Sequence, residues 1–434
     1  MESEKKKFLK NFIWNSLGTG INSFNSLFFL IIVTRVNDIQ TAGIFSIAYS
    51  TATILYTLAM YSGRLCQVTD IENKISDKDY IANRALTCVL MLIGAAGFLL
   101  IKQYTAFKTT IFALLAIFKG LEAFSDILYG VMQKNELLYK AGQSLSLKGF
   151  VGIAAFLVVD LITRDLRLAC LAVIIINLVV LVVYDYILIS RKLIGKASKV
   201  NLKNVVAILK SEFFVFVNSF AGIYILNAPK YAIDSFLTED IQAIYGYIMM
   251  PATVMTLFTQ FIVMPFLGKL KDLYENKELK EIENITFKIK LVVIAFGGFA
   301  VLAAFLLGPE FLGLVYGLDL RAYRMNLCVI IGSYIFYAIS YINLVTLTTI
   351  RHTFVQFVIY IISMIIAFVG ANVLVSNFGI NGATFSCTTT LALQFIMYTI
   401  ATKVIMHNEN KKLKDDNIKE IKKLNANNAQ ENIK

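Results

Sequence analysis

Twelve mostly apolar stretches constrain this 434-residue chain more than any other feature, each near or above the ~20 residues that carry a helix across the ~30 Å hydrocarbon core of a bilayer. They run from about 11 to 35, 39 to 63, 84 to 102, 107 to 132, 145 to 163, 167 to 190, 212 to 236, 241 to 268, 288 to 308, 322 to 350, 354 to 376 and 381 to 406, with charged residues at the breaks. Inside lipid no water satisfies a free backbone N–H or C=O, so stretches of this length form α-helices. Composition agrees: 57% hydrophobic against 16% charged, with mean hydropathy +0.68, leaves too little polar surface for soluble domains. Only four prolines and no low-complexity linker interrupt the chain, which therefore reads as one all-α polytopic membrane protein. The first stretch follows Glu4-Lys5-Lys6-Lys7 as in a signal peptide, but its length and the lack of a small-residue cleavage site mark it as a retained first helix.

Lysine and arginine are distributed unequally between the two sides. The N-terminus, the loops after even-numbered helices and the tail from Lys403 hold 32, whereas the opposite loops hold seven: Arg35, Lys102, Lys108, Arg164, Arg167, Arg321 and Arg324. By the positive-inside rule both termini are cytoplasmic, as an even number of spans requires, and Lys119 and Lys230 remain inside spans. The net charge of +12 is then an orientation signal plus attraction to anionic lipid, and nucleic acid is not an expected partner because the charge is divided among short loops. Outer loops are a few residues long, apart from about 309 to 321, and the largest inner ones, 64 to 83, 191 to 211 and 269 to 287, have no room for a catalytic domain. Five cysteines without a CxxC spacing and two histidines, His352 and His407, argue against a disulfide framework or a metal site. There is no GxGxxG, Walker loop, HExxH or nucleophile elbow, so neither a cofactor nor enzymatic activity is expected. The charged tail 407–434 reads as a solvated or surface-lying helix.

Helix 1 ends Val33-Thr34-Arg35 before a small/aromatic second helix from Thr41 to Tyr49, and helix 7 reaches Ala228-Pro229-Lys230 before Gln242 to Met249. This parallel suggests a duplication: an N-terminal six-helix lobe over 1–190, a cytoplasmic connection over 191–211, a C-terminal lobe over 212–406 and the tail. Chance likeness between apolar helices is the competing explanation.

Polar groups inside the spans are the candidate site residues. Lys119, Glu122 and Asp126, spaced by three and seven, share one face of helix 4, and their ionisation cost at mid-membrane demands a protein interior or a wet cavity. Either Lys119 and Glu122 form an ion pair that only locks the bundle, or the triad walls a cavity or relays an ion, with Asp126 left over by the pairing. Asn11, Asn15, Asn22 and Ser26, with Thr19 between, form a polar stripe on helix 1 that serves equally as packing glue or substrate path. In helix 7, Asn227, Pro229, Lys230 and Asp234 break and charge the outer half, with Lys230 either functional or snorkelling beside Asp234. Tyr334, Tyr337 and Tyr341 stripe helix 10 beside Ser333, Ser340 and Asn343, offering flat faces to sugar rings or, more cheaply, to neighbouring helices.

Four stretches together resemble the polysaccharide repeat-unit flippases of the multidrug/oligosaccharidyl-lipid/polysaccharide exporter superfamily. These are Gly63-Arg64-Leu65-Cys66-Gln67-Val68-Thr69-Asp70 with Tyr80-Ile81-Ala82-Asn83-Arg84; Lys119-Gly120-Leu121-Glu122-Ala123-Phe124-Ser125-Asp126 running through Tyr129-Gly130 to Gln133-Lys134; Asn227-Ala228-Pro229-Lys230-Tyr231; and Phe378-Gly379-Ile380-Asn381-Gly382-Ala383. The resemblance implies twelve helices in two six-helix lobes around a central cavity. It also implies outward movement of an undecaprenyl-diphosphate-linked oligosaccharide by alternating access in a bacterial cytoplasmic membrane. Carried over residue by residue, the resemblance points to Arg64, Lys119, Glu122, Asp126 and Lys230; with Asn15 and Asn22 of the polar stripe and Tyr337 and Tyr341 of the aromatic stripe, the expected substrate-binding residues are Arg64, Lys119, Lys230, Asn15, Asn22, Tyr337 and Tyr341, and the ion-coupling ones Glu122 and Asp126. Where the family's motif often has arginine this chain has Lys230, a point charge without a bidentate fork. Expected partners are the lipid-linked oligosaccharide, membrane lipids, and the glycan polymerase and glycosyltransferases of the same pathway. The alternatives are a cation-coupled multidrug exporter of the same superfamily and a polytopic glycosyltransferase, the latter disfavoured by the lack of an outer domain.

Overall fold

The computed structural model describes residues 2–61, 63–70, 74–194 and 199–431. Every regular element among them is helical: α1 Glu2–Val36, α2 Ile39–Met60, α3 Gly63–Thr69, α4 Asp77–Lys102, α5 Ala106–Lys134, α6 Leu138–Thr163, α7 Leu166–Val179, α8 Arg191–Leu193, α9 Leu202–Ser211, α10 Phe213–Phe236, α11 Glu239–Val263, α12 Leu267–Glu275, α13 Leu279–Tyr316, α14 Arg324–Thr349 and α15 Thr353–Glu431. A π-helical segment, Val180–Ser190, continues α7. The twelve expected stretches fall on eleven of these helices, because α15 runs through the last two with a break in helical geometry at Gly379 (φ 57°, ψ −135°).

Nine of the described helical runs are long and apolar enough to cross a membrane, and a tenth is the pair α9 and α10, bent by 52° at Glu212. By contrast α5, which carries Lys108, Lys119, Glu122 and Asp126, is too charged to qualify by hydropathy yet is among the most buried helices. The chain is a multi-pass membrane protein. Its apolar side chains point outward as well as inward, with Ile101 83%, Leu100 78% and Ile162 77% exposed, as lipid-facing surfaces require.

Short polar caps set the helix boundaries. Asp38 accepts from the Thr41 amide at 2.6 Å, Ser76 and Asp79 form a capping box, and Asn201 accepts from the Lys203 amide at 3.0 Å. The α1–α2 and α10–α11 connections have equal length, and residues 42–49 keep a constant offset from 242–249. Arg35 and Lys230 do not correspond in this register, however. Arg35 stands one residue from the end of its helix and Lys230 six, so the two bases occupy different turns near the ends of their helices.

The described chain forms two compact units. One comprises residues 1–247, 310–320 and 375–383, and the other residues 248–309, 321–374 and 384–434. In the first, α1 lies along α6 with almost no separation: a Cβ added to Gly142 would come within 2.3 Å of the Trp14 backbone, and one added to Gly18 within 2.5 Å of the Gly142 carbonyl oxygen. In the second, Ile282, Val293, Ile342 and Tyr398 belong to one hydrophobic core.

Candidate functional site

The first unit encloses a polar cavity of about 190 Å³ between α1, α5, α6 and α7, with Asn22, Asn25, Arg64, Glu122, Asp126 and Lys148 in its wall.

Its basic and acidic side chains are brought together from distant parts of the sequence. The short helix α3 lies against α5 at Gly130, where a Cβ would stand 1.9 Å from Oε1 of Gln67, so any larger residue would have to displace the buried Gln67 amide. Arg64 on α3 thereby reaches α5, its guanidinium donating to Asp126 at 2.9 Å and to Gln133 at 2.8 Å. Arg84 on α4, 1% exposed, donates to the other Asp126 oxygen at 3.2 Å and to the Ala59 carbonyl at 3.0 Å. Two of the sequence stretches that carried the resemblance thus converge on one carboxylate. Asp126 is not the leftover charge that the helix 4 spacing implied; it is shared by two arginines.

Lys119 donates to Glu122 at 2.6 Å and to the Tyr49 hydroxyl at 3.0 Å, so the expected pair within α5 exists. A second buried pair escaped the sequence reading. Lys148 of α6, counted there among the inner loop charges, is 7% exposed and donates to Asp185 at 2.5 Å, to Ser125 at 2.6 Å and to Tyr129 at 3.1 Å. Asp185 sits inside the π-helical segment, whose wider turn is frequent at functional sites, and its Oδ1 has no hydrogen bond. The available signal was the presence of both charges within apolar stretches.

Lys230 does not snorkel beside Asp234. Its ammonium donates to Ser50 of α2 at 3.0 Å, and no carboxylate is among its described contacts. Asp234 turns instead to Lys102 and Lys108. Asn22 lines the cavity and accepts from Asn25 at 3.1 Å. Asn15 is half-buried where α1 meets Gly142, a packing position outside the cavity lining. Tyr337 and Tyr341 belong to the second unit, where Tyr337 packs on Tyr334 at 5.7 Å between ring centroids and Tyr341 packs against its core.

The chain resembles known proteins in two ways. It is 23% identical over 400 residues to the capsular polysaccharide biosynthesis protein CapF of Staphylococcus aureus, covering 90% of this chain and 98% of that one. Its fold matches the inward-facing conformation of a multidrug resistance MATE family transporter of the MOP superfamily, with TM-score 0.69 and 10% identity over 92% of this chain and 99% of that one. The chain shares the fold of that transporter. An outward-facing structure of a transporter of this family matches at TM-score 0.60 and 11% identity, over 94% of this chain and 97% of that one. No family model matches the sequence. The MOP fold and the capsular relative support the resemblance drawn from the four motif stretches.

Proposed function

We propose that the protein is a flippase that carries a polyprenyl-diphosphate-linked oligosaccharide from the inner to the outer leaflet of a bacterial cytoplasmic membrane for surface polysaccharide synthesis. The observation that carries this reading is the charge balance around the first unit's cavity and at Lys230. Counting the charged groups that line the cavity, their ion-pair partners and Lys230, five bases, Arg64, Arg84, Lys119, Lys148 and Lys230, stand against three carboxylates, Glu122, Asp126 and Asp185. The surplus is two positive charges, matching the charge of a diphosphate, and it falls on Lys230 and on the Arg64/Arg84 pair that shares Asp126.

A diphosphate bearing sugars cannot enter hydrocarbon without a large desolvation cost, whereas its polyprenyl tail is at home there. The basic interior supplies what the headgroup loses from water. Arg64, with a quarter of its side chain exposed, meets the diphosphate by exchanging the Asp126 carboxylate oxygen for a phosphate oxygen. Lys230 needs to give up only a hydroxyl, and Asn22 offers amide hydrogen bonds to the headgroup. Glu122 and Asp126, assigned from the resemblance to ion coupling, act in this reading as counter-ions that hold the bases until the anion arrives. A cation-coupled drug exporter would need the opposite balance, with unpaired carboxylates facing the cavity.

The test is flipping in vesicles that carry the purified protein and a fluorescent undecaprenyl-diphosphate oligosaccharide in one leaflet. Appearance of the label in the other leaflet, abolished in K230M and R64Q at equal folded yield, is the expected result. Export of cationic dyes without movement of the lipid-linked sugar would transfer the assignment to the multidrug class.

A further inference from the structure

The outer ends of α4 and α5 are tied to those of α10 and α11 by a charge cluster that the cavity chemistry does not use. Asp234 of α10, whose side chain is fully buried, accepts from Lys108 at 2.5 Å, from the Tyr104 hydroxyl at 2.5 Å and from Lys102 at 3.3 Å. Lys108, 7% exposed in its side chain, also binds Glu239 at the start of α11 at 2.7 Å, and Lys102 reaches the Ser235 hydroxyl at 2.9 Å. Lys102 ends α4 and Glu239 begins α11, placements that each helix dipole favours. Lys108, in the first turn of α5, stands where a cation is disfavoured, so it depends on the two carboxylates that reach it.

Beside the cluster the backbones touch. A Cβ on Gly43 of α2 would lie 2.0 Å from the Glu239 carbonyl oxygen, and one on Gly246 of α11 would lie 2.7 Å from the Ser46 hydroxyl. Thr34 donates to Tyr247 at 2.9 Å, and Arg35 donates to the carbonyls of Leu314 and Val315 at the end of α13. Glycine contacts seal this end and the ion cluster clamps it. By the lysine and arginine count this is the outer side, whereas Arg64 and its motif neighbours stand at the inner side.

We propose that Asp234, with Lys102 and Lys108, is an electrostatic latch that keeps the outer end of the transporter closed and must come apart before the cavity can face outward. This rests on the reading of the chain as a transporter and adds the element that governs its outward opening. A latch differs from a structural lock in what its loss does. Neutralising Asp234 takes the carboxylate from Lys102, leaves Lys108 with Glu239 alone and shifts the population toward the open state, whereas loss of a lock only lowers stability.

The experiment uses the full-length protein without its five native cysteines, with a single cysteine at Ser50 on α2, labelled from outside by a membrane-impermeant maleimide. Little labelling is expected in the parent, and about a tenfold faster rate in D234N, corresponding to ~1.4 kcal/mol of population shift. The partly exposed members supply K102M and E239Q, which strand less charge and should raise the rate in the same direction if D234N fails to fold. Unchanged labelling in all three, with lowered thermal stability, overturns the latch. Because labelling needs no substrate, failure of lipid-linked sugar flipping by the parent would refute the transport reading while leaving the latch result to stand on its own.

Discussion

At the scale of single residues, the surplus and the paired charges predict opposite mutant behaviour. Lys230→Met removes an ammonium whose described partner is a hydroxyl, so folded yield should hold or rise while flipping in vesicles is lost. Asp126→Asn removes the counter-ion of the almost fully buried Arg84, and chemical or thermal unfolding should register a loss of about 3 to 5 kcal/mol. Equal stability in the two variants would contradict this division of roles. Helical spacing placed Lys119, Glu122 and Asp126 on one face correctly, because that depends only on the turn of one helix. The partners of Asp126 were not readable, since Arg64 and Arg84 arrive from residues 62 and 42 positions away. Lys148 was missed for a different reason. It stands three residues inside its apolar stretch, where counting charges by side assigns it to the loop.

At the scale of elements, α3 is the segment that sequence periodicity left inside a loop, because seven residues are too few to show a period. Its place is fixed by Gly130, and Gly130→Ala should press α3 off α5 and cost about 1 to 3 kcal/mol, with the arginine contact to Asp126 weakened. Thermal unfolding of G130A beside G130A/Q67A checks this, since shortening Gln67 removes the atom that the new methyl group meets. Long helices were legible because lipid leaves the backbone no alternative. The π-helical segment was not, as nothing in its composition distinguishes Val180–Ser190 from an ordinary span. Tyr337 and Tyr341 illustrate the same limit: an aromatic stripe reads alike whether it meets sugars or, as Tyr337 does with Tyr334, other rings.

At the scale of the whole molecule, orientation is the first expectation to measure. The basic loop charges put residue 200 inside and residue 315 outside, so in a cysteine-free background a cysteine at 315 should react with an impermeant reagent and one at 200 should not; the reverse pattern would invert the topology. The all-α polytopic architecture was legible from apolar run lengths alone. The charge cluster around Asp234 was not, because its lysines stood in the count only as outer loop charges. For the proposed flippase, the surplus of two positive charges around the cavity and at Lys230 has an electrical consequence. With a diphosphate aboard, the moving part would be close to neutral and membrane voltage would do almost no work on it. Emptied, it carries about two positive charges, and an inside-negative potential draws it back at up to roughly 4 to 5 kcal/mol per 100 mV if those charges cross the whole field. Voltage would then drive the return of the empty carrier and not the outward step. Protein reconstituted without substrate should give a capacitive current when the voltage is stepped, and saturating substrate should suppress it.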